Sequence, residues 1–281
     1  MATTLHMADS PAHILILSPG KSGSTGLYFK IKNSLESCTG VFEPRDFSDV
    51  APHLEGARPV LVKALLRPSR GFLGPMLAAF DRRIFLVRDP RDLLISALLY
   101  TGVHDYLWRQ SDADIRAAFA TLARKHEHPR EVTLSELFAR LWGVAQEEVV
   151  ATSRELGALS VSLADARPGV FVFRYEDFVA DRLAELEAYL GFPLQGSSDV
   201  GPEFQRVVRT RGSGAWRHWF TPEDVAVFGP LFHDYVLRFG YDPDDWTLAE
   251  DPVIERRHAV DYVQRILNER RQKEGLPAFV G

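Results

Sequence analysis

The residues best suited to chemistry in this chain lie in two short stretches. The first, Ser18-Pro19-Gly20-Lys21-Ser22-Gly23-Ser24-Thr25-Gly26, follows an apolar run and opens a segment of helical spacing. Glycines let backbone N–H groups curl inward, a helix N-terminus adds partial positive charge, and hydroxyls with a lysine complete an anion cradle. Lysine is scarce here, six among 33 basic residues, so one inside a Gly/Ser loop is informative. A Walker A loop would need glycine where Leu15 stands and an acidic strand end for magnesium, yet the run Ile84–Val87 is followed by Arg88. The plainer reading is a turn with a solvated lysine. The second stretch runs from Phe85 to Ser96. Asp89 is placed to cap a helix whose first residue is Pro90. Arg88 then lies just outside that helix and Ser96 two turns in, so a phosphate beside the first turns meets both. The alternative is that Arg88 and Arg91 only pair with Asp89 and Asp92.

Elements that would position these stretches are legible from periodicity. Apolar runs at 13–18, 60–65, 83–87 and 170–173, with a short one at 41–43, read as buried strands. Helical spacing occupies 24–37, 90–102, 112–125, 133–156, 182–190, 222–238 and 253–271. This alternation predicts an α/β fold with a central parallel β-sheet flanked by helices. Such sheets bind ligands beyond the C-terminal ends of their strands, which is where the unusual residues fall.

At 281 residues and 46% hydrophobic, the chain suffices for one domain spanning 1–281, with 1–12 expected to be flexible. A net charge of -5 argues against nucleic acid as a partner and against an anionic membrane surface. The single cysteine, Cys38, excludes an internal disulfide and a cysteine zinc site. No secretory leader or 18-residue apolar span is evident, so a cytoplasmic location is expected. The amphipathic C-terminal segment 252–273 docks on its own domain or pairs with a second copy as a homodimer.

The order Lys21-Ser22-Gly23-Ser24-Thr25 resembles the 5'-phosphosulfate loop of PAPS-dependent sulfotransferases, and Val87-Arg88-Asp89-Pro90-Arg91-Asp92 with Ser96 resembles their 3'-phosphate motif. The resemblance implies a P-loop-like sulfotransferase architecture with PAPS as donor, PAP as product and no metal requirement. It implies that Lys21 contacts the leaving phosphate, that Ser22, Gly23, Ser24, Thr25 and Gly26 hold the 5'-phosphate, and that Arg88 and Ser96 select the 3'-phosphate. Two weaker echoes follow. Tyr175-Glu176-Asp177 looks like an element whose tyrosine lies near the adenine. Arg209-Thr210-Arg211-Gly212-Ser213-Gly214-Ala215-Trp216 looks like the late loop that closes on the nucleotide, with Arg209 or Arg211, beside Gly212, as its cation. Gly26 departs from the aromatic that often stacks on adenine.

In-line sulfonate transfer to a hydroxyl acceptor needs a base for the acceptor proton. The family's histidine is missing from Val62-Lys63-Ala64-Leu65. Glu43, in Val41-Phe42-Glu43-Pro44-Arg45, resembles the glutamate of the carbohydrate and tyrosylprotein branches and is the expected base, unless it merely pairs with Arg45 or Arg88. His53 and His104 are the next candidates. Tyr100, His104, Tyr106 and Trp108 could line an apolar or sugar-like acceptor site or simply pack on the next helix, whereas Trp142 reads as core. The rival readings are an ATP-dependent small-molecule kinase and a non-catalytic nucleotide-binding relative.

Overall fold

The computed structural model describes residues 13–56, 58–166, 169–201, 204 and 209–280. The stretch 1–12, expected to be flexible, lies outside them. Strands β1 (Ile14–Ser18), β2 (Thr39–Phe42), β3 (Val60–Leu65), β4 (Arg82–Val87) and β5 (Val170–Arg174) form an all-parallel sheet in the order β2-β3-β1-β4-β5. Its helices are α1 (Ser24–Lys32), α2 (Ala51–Leu54), α3 (Leu73–Ala79), α4 (Pro90–Asp105), α5 (Asp112–Glu127), α6 (Leu134–Trp142), α7 (Gln146–Ala166), α8 (Tyr175–Val179), α9 (Ala184–Leu190), α10 (Trp216–Trp219), α11 (Pro222–Arg238) and α12 (Val260–Lys273). The fold is therefore α/β with a central parallel sheet flanked by helices.

The chain divides into two compact units, one formed by Met1–Val87 with Ala164–Val200 and the other by Arg88–Leu163 with Gly201–Gly281. The first holds the whole sheet. Every residue of β1 is buried, as expected of a parallel strand with neighbours on both edges and no solvated face. Ile14, Ile16, Leu61, Ile84 and Leu86 pack with Leu27, Tyr28 and Ile31 of α1 and with Leu186 and Leu190 of α9. Strand order reverses direction at β1 and β4, so the topological switch point lies where β1 ends and the glycine loop begins.

The second unit is helical, with Leu94, Leu98, Phe138, Trp216, Phe228 and Val263 in its buried core. Helix α11 starts with a capping box in which Thr221 and Asp224 satisfy each other's backbone N–H groups. One helix was expected over 133–156, but α6 ends at Trp142 and Gly143 turns the chain at φ 66. The Tyr106 ring packs against that glycine so closely that a β-carbon there would lie 2.4 Å from it. The C-terminal helix starts at Val260 rather than near 252, because a short 3-10 turn at Arg256–His258 precedes it. Helix α1 stops at Lys32, five residues earlier than its spacing suggested. Among the described residues no helix is long and apolar enough to cross a membrane.

Candidate active site

In the sheet unit, β1 delivers the chain into the glycine loop at Ser18. Lys21 and Gly23 both take the left-handed conformation, φ 68 and φ 88. Gly23 is needed there twice over. Its φ favours glycine, and a β-carbon would fall 2.4 Å from the Tyr175 ring, which packs directly against it. Ser22 is fully buried and its hydroxyl donates to the Pro19 carbonyl at 2.9 Å, closing the loop on itself. Helix α1 then begins at Ser24 with no acidic residue in its first turn and no side chain capping it. Its N-terminal N–H groups and partial positive charge are thus arranged for an anion. Gly26 lies under the Phe178 ring, 3.3 Å from where a β-carbon would be. The expected adenine contact, Tyr175, is buried at 5% exposure as the wall of the loop.

At the exits of β2 and β3, Glu43 is also left-handed, φ 51. Among the described residues only Lys21, Glu43 and Asp181 adopt positive φ without being glycine, and Lys21 and Glu43 are two of the four that sequence marked for catalysis, His53 and His104 being the others. The Glu43 N–H donates to the Lys63 carbonyl at 2.7 Å, and its carboxylate pairs with the Lys63 ammonium. An ion partner is thus Lys63 of the neighbouring strand. Arg45 instead donates its backbone N–H to Asp49 at 2.7 Å. Lys63 is 3% exposed and its ammonium lies 4.5 Å from the centre of the Phe42 ring. Burial lowers the Lys63 pKa below its usual value, opposed by the Glu43 charge. Sequence reasoning passed over this lysine, although a cation inside the run Val60–Leu65 was a signal.

In the helical unit, Asp89 caps α4 by accepting from the Arg91 N–H at 2.9 Å. The Arg91 guanidinium pairs with Asp89 at 2.8 Å and stacks over Trp216, 4.1 Å from its ring centre. Asp92 is fully buried and accepts from the backbone N–H groups of Gly214 and Trp216. Burial pushes its carboxyl pKa up, while the Arg88 cation and these hydrogen bonds pull it down. Arg88 is 5% exposed, reaches the Gly212 carbonyl at 3.4 Å, and receives a hydrogen bond on its own carbonyl from Tyr235. The motif and the glycine loop near 212 are therefore joined, with Ser96 buried two turns along α4. Arg91 and Asp92 fasten that loop, a role beyond the simple ion pairing considered from sequence. Nothing in the spacing of Asp92 announced it. Arg209 and Arg211 lie at the start of the same loop.

His53 is exposed on α2. His104 stacks on Tyr100 with ring centres 5.4 Å apart and bonds Asp105 at 2.7 Å. Tyr100, Tyr106 and Trp108 pack against the apolar core of the helical unit, as does Trp142, whose indole N–H donates to the Leu98 carbonyl.

No protein-family model and no curated protein matches the sequence. Among solved structures, that of mouse sulfotransferase SULT7A1 complexed with PAP is similar at a TM-score of 0.48 and 16% identity, over 80% of this chain and 84% of that one.

Proposed function

We propose that this protein is a PAPS-dependent sulfotransferase that moves a sulfonate group to the hydroxyl of a small-molecule or carbohydrate-like acceptor, releasing PAP. The observation that carries this reading is the loop after β1, where a left-handed Lys21 and Gly23 precede a helix N-terminus without acidic residues. Backbone held in sparsely populated conformations is concentrated at functional sites, and both Lys21 and Glu43 are so held. Lys21 stabilises charge growing on the leaving phosphate oxygen, and Ser22 to Gly26 hold the 5'-phosphate. Arg88 and Ser96 supply the 3'-phosphate contacts, with Arg209 or Arg211 as a further cation. Glu43 takes the acceptor proton. The reaction is in-line displacement, in which positioning and charge stabilisation supply most of the rate. The enzyme works without a resident metal, as a monomer or homodimer in the cytoplasm.

Thermal stabilisation by PAP compared with ADP, and with ATP plus magnesium, tests the class. A ligand at 100 times its dissociation constant adds about 2.7 kcal/mol. Preference for ATP plus magnesium would instead favour the kinase reading, and PAP binding without turnover of labelled PAPS across an acceptor panel would favour the non-catalytic one.

A further inference from the structure

We propose that Lys63 is a positioning residue that holds the Glu43 carboxylate in place for removal of the acceptor proton; this rests on the transferase reading above. Two bonds fix Glu43 to the same neighbour. Its backbone N–H meets the Lys63 carbonyl and its Oε1 meets the Lys63 ammonium. Main chain and side chain are thereby fixed together, which a left-handed residue at a strand exit needs if its side chain is to keep one direction. The pair is asymmetric. The ammonium side chain is 4% exposed and the carboxylate 42%. Lys63 lies among Leu61, Val62 and Ala64, all fully buried, with the Phe42 ring beneath its charge. A cation so placed requires an anion beside it, and Glu43 is that anion. The exposed part of the carboxylate remains open to an acceptor.

In the step itself, the acceptor oxygen forms the new O–S bond while its proton passes to the Glu43 carboxylate. The bond from sulfur to the phosphate oxygen of PAPS breaks, and its electron pair stays on PAP. Lys63 touches none of these atoms and acts only through Glu43.

The test uses the full chain with sulfur-labelled PAPS and water as acceptor, following labelled sulfate release at several donor concentrations for wild type, Lys63→Met and Lys63→Gln. Thermal stabilisation by PAP reports folding and donor binding. Losing the cation should slow transfer at saturating PAPS without changing the apparent donor affinity in either variant. Lys63→Met should lower the rate constant about tenfold or more. Lys63→Gln keeps an N–H donor for Glu43 and should recover part of that rate. Both variants should still be stabilised by PAP. If a folded variant releases sulfate at the wild-type rate, or if Lys63→Met slows the Glu43→Gln variant as much as it slows wild type, Lys63 only fastens two strand ends and the proposal is overturned. If Glu43→Gln releases sulfate at the wild-type rate, the base assignment falls and this proposal with it. If wild type neither binds PAP nor releases sulfate, the transferase reading itself has failed.

Discussion

The buried carboxylate of Asp92 accepts a hydrogen bond from the backbone N–H of Trp216 at 3.0 Å, tying the first turn of α4 to the end of the loop at 209–216. The same carboxylate accepts from Gly214, so two buried N–H groups depend on one side chain. Asp92→Asn offers a single acceptor oxygen and leaves one of them unsatisfied. A loss of about 1–3 kcal/mol is expected in urea unfolding, with the denaturant slope unchanged. Unaltered stability would mean that the loop is not held by Asp92.

Gly23→Ala combines a left-handed backbone with a contact of 2.4 Å to the Tyr175 ring. The variant should lose about 1–3 kcal/mol and its PAP-induced thermal shift. Adding Tyr175→Ala removes the collision but not the backbone strain, so stability should return in part. Full recovery would show that the φ of Gly23 is immaterial.

Lys21 separates strain from chemistry. Because its φ of 68 is unfavourable for a residue with a β-carbon, Lys21→Gly should be more stable than Lys21→Ala by about 1 kcal/mol. Both should lower the transfer rate constant more than donor affinity, since charge on the leaving oxygen grows mainly in the transition state. Single-turnover kinetics with PAPS measures the two effects separately.

Arg88→Ala should weaken binding of PAP far more than that of the analogue lacking the 3'-phosphate. Calorimetry on both nucleotides decides the matter, and equal losses remove Arg88 from the proposed contact.

Lys125 gives a pH test independent of activity. It is fully buried in the helical unit, donates to the carbonyls of Pro129 and Val132 at 2.6 Å, and burial brings its pKa down to about 8. Between that value and 10.5 the unfolded chain holds a proton that the native state has released, so this group makes stability rise with pH through the window. Unfolding free energies of wild type and Lys125→Met should diverge by up to about 3 kcal/mol from pH 8 to above 10.5. Parallel curves would exclude the shift.

The strands were legible because a parallel sheet buries continuous apolar runs, so β3 matches its expected bounds and β1, β4 and β5 depart by a residue. The break at Gly143 was not legible, because apolar spacing carries on across it and only the packing of Tyr106 against the glycine shows why the chain must turn. In the candidate site, the loop glycines and the capped start of α4 follow local rules that sequence displays. The fastening of Gly214 and Trp216 to Asp92 and the seat of Tyr175 on Gly23 join residues far apart in the chain, and no local rule carries them.

The strand order has a consequence for synthesis. β4 ends at Val87, but its outer neighbour β5 begins only at Val170, so the edge of β4 must wait until all of 88–169 has left the ribosome. Parallel pairing of this kind is slow, and an uncovered strand edge invites association. A chain stalled or clipped within that interval should therefore be the form most prone to aggregate, and the sheet unit can close only once α9 has been made, before α10, α11 and α12 of the helical unit exist.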